Sequence, residues 1–106
     1  MNRSTIYEYL RNDTEMNMVQ EKHGRGMFPV LYIPWSWDYS FLHINNSKIM
    51  NFQKVILFST ELVVRFTNLD DWQINIPYAD IDFISVVRDE NVGYVGLENG
   101  NKVQRY

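Results

Sequence analysis

Two histidines, His23 and His43, and several paired carboxylates are the residues of this chain whose side chains could do acid–base or metal chemistry. A catalytic base must reach a nucleophile or a polarised water, and a third group must orient it. Neither histidine stands in such a setting. The sequence has no Gly-x-Ser-x-Gly elbow, no Walker loop and no His-Glu-x-x-His pair. Gly93-Tyr94-Val95-Gly96 is too short for a dinucleotide-binding turn. Cysteine is absent, which removes thiolate nucleophiles, thiolate metal sites and disulfides together. The acids fall as Asp70-Asp71, Asp80 with Asp82, and Asp89-Glu90, without the spacing of a calcium loop. Asp and Asn favour turns because their side chains bond nearby backbone, so these acids read as solvated turns whose summed charge can attract a basic partner. No catalytic, cofactor-binding or metal-binding residue is expected.

The other conspicuous group is aromatic. In "PWSWDYSFLH", Trp35, Trp37, Tyr39, Phe41 and His43 fall on every second residue, with Ser36, Asp38 and Ser40 among the intervening positions. In an extended strand this spacing lines one face with rings. Phe41 and Tyr39 read as core members. Trp35 and Trp37, close behind Pro34, read as surface rings, and Trp and Tyr are enriched at binding hot spots. The residues expected to touch a partner protein are therefore Trp35, Trp37, Asp38, His43, Asp70, Asp71, Asp89 and Glu90.

These residues sit in a chain of 106, the size of one domain spanning 1–106. Hydrophobic residues make up 45% and charged residues 22%, an ordinary globular mixture able to bury a core. The net charge of −3 is uneven: residues 1–59 carry six Lys/Arg against five Asp/Glu, and residues 60–106 carry four against eight. A basic patch is the footprint of nucleic-acid binders, and here only the loop "EKHGRG", with Lys22 and Arg25, offers a small one. Nucleic acid is not the expected partner. No apolar run approaches the roughly 18–20 residues of a membrane span, and the N-terminus lacks a signal-peptide pattern, so a cytoplasmic location is expected. One alanine beside eleven asparagines and nine isoleucines suggests AT-rich coding, as in low-GC bacteria, their phages and mobile elements.

Thr5-Ile6-Tyr7-Glu8 fits a capping box, and Ile6, Tyr9 and Leu10 form a helical stripe, predicting a helix over about 5–20. From about 27 onward the chain reads as short strands. "MFPVLYI" contains Pro29, which cannot donate to a ladder, and is expected at a sheet edge. Ser59-Thr60 joins "QKVILFS" to "ELVVRFT" as a hairpin, and Asn99-Gly100 is a strong hairpin turn. In "WQINI", alternation places Trp72, Ile74 and Ile76 on one face, expected to be buried. The expected fold is α+β: a short N-terminal helix followed by a curled antiparallel sheet or small barrel of six to seven strands.

Residues 54–87, "KVILFSTELVVRFTNLDDWQINIPYADIDFISVV", resemble the middle of bacterial PH-like and GRAM-like domains. The shared features are a strand–turn–strand unit and the step Ile76-Pro77-Tyr78-Ala79-Asp80-Ile81 into a further strand. The resemblance covers about a third of the chain and implies a non-catalytic binding scaffold; PH-like domains end in a helix, whereas this chain ends in a hairpin pattern. The expectation drawn from all of this is a small protein-binding module. Its size, acidity and coding bias suit a phage- or mobile-element-encoded inhibitor of a host enzyme, such as an anti-CRISPR or other anti-defence protein. The alternative is a PH-like domain that binds a small ligand, lipid head group or peptide. The partner would be another protein, a host enzyme or a second copy joined through an edge strand.

Overall fold

The helix begins earlier than the capping-box pattern suggests. The structure, a computed structural model, describes residues 1–14, 16, 18–33, 41–66, 72–88 and 93–105. Helix α1 spans Arg3–Asp13, and its N-cap is Asn2, whose Oδ1 accepts from both the backbone N–H and the hydroxyl of Thr5 at 2.8 Å. At the other end, the Thr14 hydroxyl donates to the Leu10 carbonyl (2.7 Å) and takes over a bond that a further helical turn would have made. The helix therefore stops at Asp13, and the expected extension to about residue 20 is not there. Its stripe is as expected: Ile6, Tyr9 and Leu10 are all buried.

Among the described residues ten strands follow, rather than six or seven in one curled sheet, and they form two open antiparallel sheets. They are β1 (Met18–His23), β2 (Gly26–Tyr32), β3 (Phe41–Ile44), β4 (Ser47–Met50), β5 (Phe52–Leu57), β6 (Glu61–Phe66), β7 (Gln73–Pro77), β8 (Phe83–Val87), β9 (Tyr94–Glu98) and β10 (Asn101–Arg105). One sheet has the order β1-β2-β5-β6-β7, the other β10-β9-β8-β3-β4. Neither closes into a barrel.

The extra strands come from short segments with weak patterning. β1 is exposed at alternate and adjacent positions, so no apolar rhythm betrays it. It exists because Gly24, at φ +62°, turns the chain back to pair His23 with Gly26 and Met18 with Leu31. Its presence also moves β2 away from the sheet edge expected for it. The edge-like signal of Pro29 survives locally, because β5 pairs only with Val30–Tyr32 and leaves Pro29 with one neighbour.

Hydrophobic alternation builds the core between the sheets. Leu31, Val55, Leu57, Leu62 and Val64 from the first sheet meet Leu42, Ile44, Ile49, Ile84 and Leu97 from the second, with Ile6, Tyr9 and Leu10 of α1 in the same cluster. The chain crosses between sheets at tight points. A single residue, Asn51 at φ +60°, carries β4 into β5, a left-handed conformation that asparagine tolerates better than most residues. A 3-10 turn over Tyr78–Asp80, within the Ile76-to-Ile81 step, carries β7 into β8. Asn45, also left-handed at φ 55°, pins this crossing. Its amide nitrogen donates to the Asp80 carbonyl (2.8 Å) and its Oδ1 accepts from the N–H groups of Asp82 (2.7 Å) and Phe83 (3.1 Å).

β8 and β9 pair only at Phe83/Glu98 and Ile84/Leu97. Just beyond, the Tyr9 hydroxyl bridges them: it accepts the Val86 N–H (3.0 Å) and donates to the Val95 carbonyl (2.8 Å). The Ser85 hydroxyl, fully buried, donates to the same carbonyl at 3.1 Å. A helix side chain thus satisfies backbone groups that the ladder leaves open. Burial raises the Tyr9 pKa from 10.0, partly opposed by the hydrogen bonds from Ser85 and Val86.

Candidate interaction surface

Three parts of the surface carry chemistry. On the outer face of the first sheet, Val30, Ile56 and Val63 form a second small apolar cluster, flanked by Phe28, Tyr32 and Phe58. A polar network lies over it. Glu21 accepts from the Tyr32 hydroxyl on one oxygen and from Lys54 Nζ (2.9 Å) on the other. His23 Nε2 stands 2.8 Å from the same oxygen as Lys54 but without the alignment of a hydrogen bond. The hydrogen bonds from Tyr32 and Lys54 hold the Glu21 carboxyl below its usual 4.5, against a smaller opposing effect of burial. Burial pulls the Lys54 ammonium down, but its bonds to Glu21 and Tyr32 raise it on balance. Tyr32 is raised, chiefly by its bond to Glu21.

On the outer face of the second sheet, His43 in β3 lies opposite Lys48 and Ser85. It is half-buried among rings, with centroids 5.0 Å from Phe41, 5.6 Å from Tyr94 and 6.4 Å from Phe83. Lys48 Nζ sits 4.3 Å over the Phe41 ring. Phe41 is 1% exposed, a core side chain as expected. Gly96 shares this face, and its missing side chain is what lets β9 approach: a Cβ there would come within 2.9 Å of the Ile84 carbonyl oxygen and the Phe83 ring, and 2.8 Å of Ser85 Cβ.

The third part is β7, one of the two strands that edge the first sheet among the described residues. Its pairing with β6 runs from Glu61/Pro77 to Arg65/Gln73. Tyr78 donates its N–H to the Thr60 carbonyl (3.3 Å), which extends this ladder by one pair. Bonded and non-bonded pairs alternate along an antiparallel ladder, so Ile76/Leu62 and Ile74/Val64 are the bonded pairs. The backbone N–H and C=O groups of Gln73 and Asn75, and the carbonyl of Pro77, therefore point away from β6. Pro77 occupies a position where its missing N–H costs no ladder bond.

Among the described residues the two sheets have four edge strands: β1, β7, β10 and β4. β1 carries Glu21 and Lys22, β4 carries Lys48, and β10 carries Lys102. Charged side chains, lysine above all, are the usual protection of an edge against pairing with another chain. β7, Gln-Ile-Asn-Ile-Pro, has none. At its head Trp72 is 64% exposed and packs edge-on against Phe66, centroids 6.3 Å apart. The outer-face amides are tied into a chain: Arg65 Nε donates to Gln73 (3.3 Å), Gln73 to Asn75 (3.0 Å) and Asn75 to Glu61 (3.1 Å).

The expected burial of the Trp72, Ile74 and Ile76 face needs correction. Ile74 and Ile76 are half-buried and Trp72 is exposed, because a strand with a neighbour on one side only is covered on one side only. Of the residues expected to meet a partner, His43 is placed as described above. Trp35, Trp37, Asp38, Asp70, Asp71, Asp89 and Glu90 lie outside the described residues, as does Tyr39. Sequence reasoning missed β7 as a surface. Its signal was there in the form of a missing one, an alternating strand without a single charge.

An open groove of about 370 Å³ runs between α1 and the β9–β10 hairpin, past Ser4, Glu8, Asn12 and Gly100, where Lys102 bridges to Asp13 at 3.0 Å. Among the described residues no three His, Asp or Glu side chains converge as a metal site would require, and no helix is long and apolar enough to cross a membrane. No protein-family model, curated protein or solved structure matches this chain.

Proposed function

We propose that this chain is a non-enzymatic protein-binding module that works by strand addition at β7. What supports the reading is the contrast among the edges. Three carry the charges that discourage pairing, and the fourth carries outward backbone donors and acceptors, no charge, and an exposed tryptophan at its head. Strand addition gives affinity through main-chain bonds, and the alternate side chains give selectivity. The half-buried Ile74 and Ile76 offer an apolar margin on the core side, and Gln73 and Asn75 a polar one on the other. In a small acidic protein of this composition, the biological role that suits such a module is inhibition of a host enzyme by a phage- or mobile-element-encoded protein, an anti-CRISPR or other anti-defence factor among them. The PH-like resemblance of residues 54–87 belongs to the same broad class, a scaffold that binds.

The test is stoichiometric co-purification from a low-GC bacterial lysate, with the parent protein beside Trp72→Ala and Gln73→Lys. The parent is expected to retain a protein partner at fixed ratio, and both variants to lose it while melting within about 4 °C of the parent, since surface changes typically move stability by no more than about 0.5 kcal/mol. Retention of the partner by Gln73→Lys, with its new charge on the edge, would defeat the reading.

A further inference from the structure

We infer that the strand received by β7 is a second copy of β7, paired antiparallel across a two-fold axis at Asn75. This rests on the reading of β7 as an open pairing edge and names what covers that edge in the free protein, until a foreign strand displaces it. The outward-facing backbone groups belong to Gln73, Asn75 and Pro77, so only registers that bring these positions together make ladder bonds. Centred on Asn75, a two-fold pairs Asn75 with the partner copy's same residue and Gln73 with the second copy's proline at position 77. Each Asn75 then both donates and accepts, and each Gln73 N–H donates to a proline carbonyl. The only bond forgone at each end is the one proline cannot make. A two-fold interface must be complementary to itself, and this five-residue segment is so in backbone and in side chains.

The side chains follow from alternation. In this register Ile74 of each copy lies opposite Ile76 of the other on the core side, and two half-covered apolar margins cover one another. On the outer side the two Asn75 amides meet, and no charge is brought against a like charge, as a self-pairing of β1, β4 or β10 would risk. The exposed Trp72 of each copy comes to the end of the other's strand, beside proline. The result is one continuous ten-stranded sheet with both cores on the same side.

Charge at the axis provides the test. Asn75→Asp and Asn75→Lys each place two like charges opposite one another in a dimer of one variant, and opposite charges when the two variants are mixed. Sedimentation of the parent across micromolar to millimolar concentration is expected to show a monomer–dimer equilibrium. Each variant alone is expected to dissociate at least about tenfold more readily, and an equimolar mixture to regain dimer. Thermal melts confirm that each variant folds, with Asn75→Ser, a small uncharged change, as a further folded control that should still dimerise. A parent that stays monomeric throughout would overturn the inference, as would a dimer that persists in both charged variants or a mixture that stays monomeric. A monomeric parent that nonetheless loses a foreign partner on Gln73→Lys would overturn this inference and leave the strand-addition reading standing. A parent with neither dimer nor partner would overturn both.

Discussion

Tyr9→Phe isolates one hydroxyl whose role can be given a magnitude from its partners. The ring itself is retained, so no cavity opens and the packing of α1 on the core is unchanged. What is lost is the acceptor of the Val86 N–H and one donor to the Val95 carbonyl. The carbonyl keeps the Ser85 hydroxyl at 3.1 Å, so its loss is small. Among the described residues the Val86 amide has no second partner in this gap of the ladder, and stranding a partly buried donor costs about 1–3 kcal/mol. Taking about 2 kcal/mol, and about 4–8 °C per kcal/mol for a domain near this size, the melting temperature should fall by about 8–16 °C. Urea titration should show a lower midpoint at unchanged slope, and the Val86 amide should exchange with solvent faster than its neighbours Ile84 and Val87. Tyr9→Leu, which also removes ring volume, should fall further. If Tyr9→Phe melts within 2 °C of the parent and the Val86 amide stays protected, the hydroxyl is not bridging the two strands.

Gly96→Ala should destabilise strongly, by about 2–4 kcal/mol, because its new methyl meets backbone oxygen as well as side chains and cannot be relieved by one rotamer change; a melt unchanged within 2 °C would contradict the close approach of β8 and β9. At Asn51, held at φ +60°, glycine should be tolerated and valine should cost about 1–2 kcal/mol, read from urea midpoints of the two variants. Acid should weaken the fold through Glu21. Its carboxyl is held below 4.5 in the native state, so its contribution is complete above that value and is lost as the pH falls through the lower native one. Urea midpoints between pH 6 and pH 3 should decline less steeply for Glu21→Gln than for the parent, and identical slopes would show that the Tyr32–Lys54 network does not act on this group.

What could be read from the sequence was whatever local chemistry fixes. The Ile6, Tyr9 and Leu10 stripe is buried as its spacing says. Asn99-Gly100 turns β9 into β10 with both residues at positive φ, the geometry that pair favours. The hairpin at Ser59-Thr60 closes with the Phe58 N–H on the Glu61 carbonyl at 3.0 Å. The N-cap lies three residues before the expected one because Asn2 and Thr5 can both cap, and Asn2 does so by accepting from Thr5 itself. β1 was invisible since little of it is buried, and its existence depends on a partner strand rather than on its own pattern. Trp72 was misplaced for a related reason. Alternation tells which side chains share a face, but only the strand order tells whether that face has a neighbour to cover it. The candidate surface on β7 is defined by that order and could not be found from local pattern alone.

The order of the strands also bears on how the molecule comes into being. β1 and β2 belong to the first sheet, β3 and β4 to the second, β5 to β7 return to the first, and β8 to β10 complete the second. Each sheet is thus stitched from two stretches of chain separated by a visit to the other. Hairpins can close early, but β2 must wait for β5, and β3 must wait for β8, some forty residues on. Contacts so distant along the chain carry a loop-closure cost before they return any stability, and slow folding accompanies them. A ribosome making this protein holds an unfinished second sheet until β8 emerges, with β3 and β4 exposing apolar residues meanwhile. Every cut between the four stretches breaks at least one sheet, so the two sheets should form and melt in one step, as a single kinetic unit.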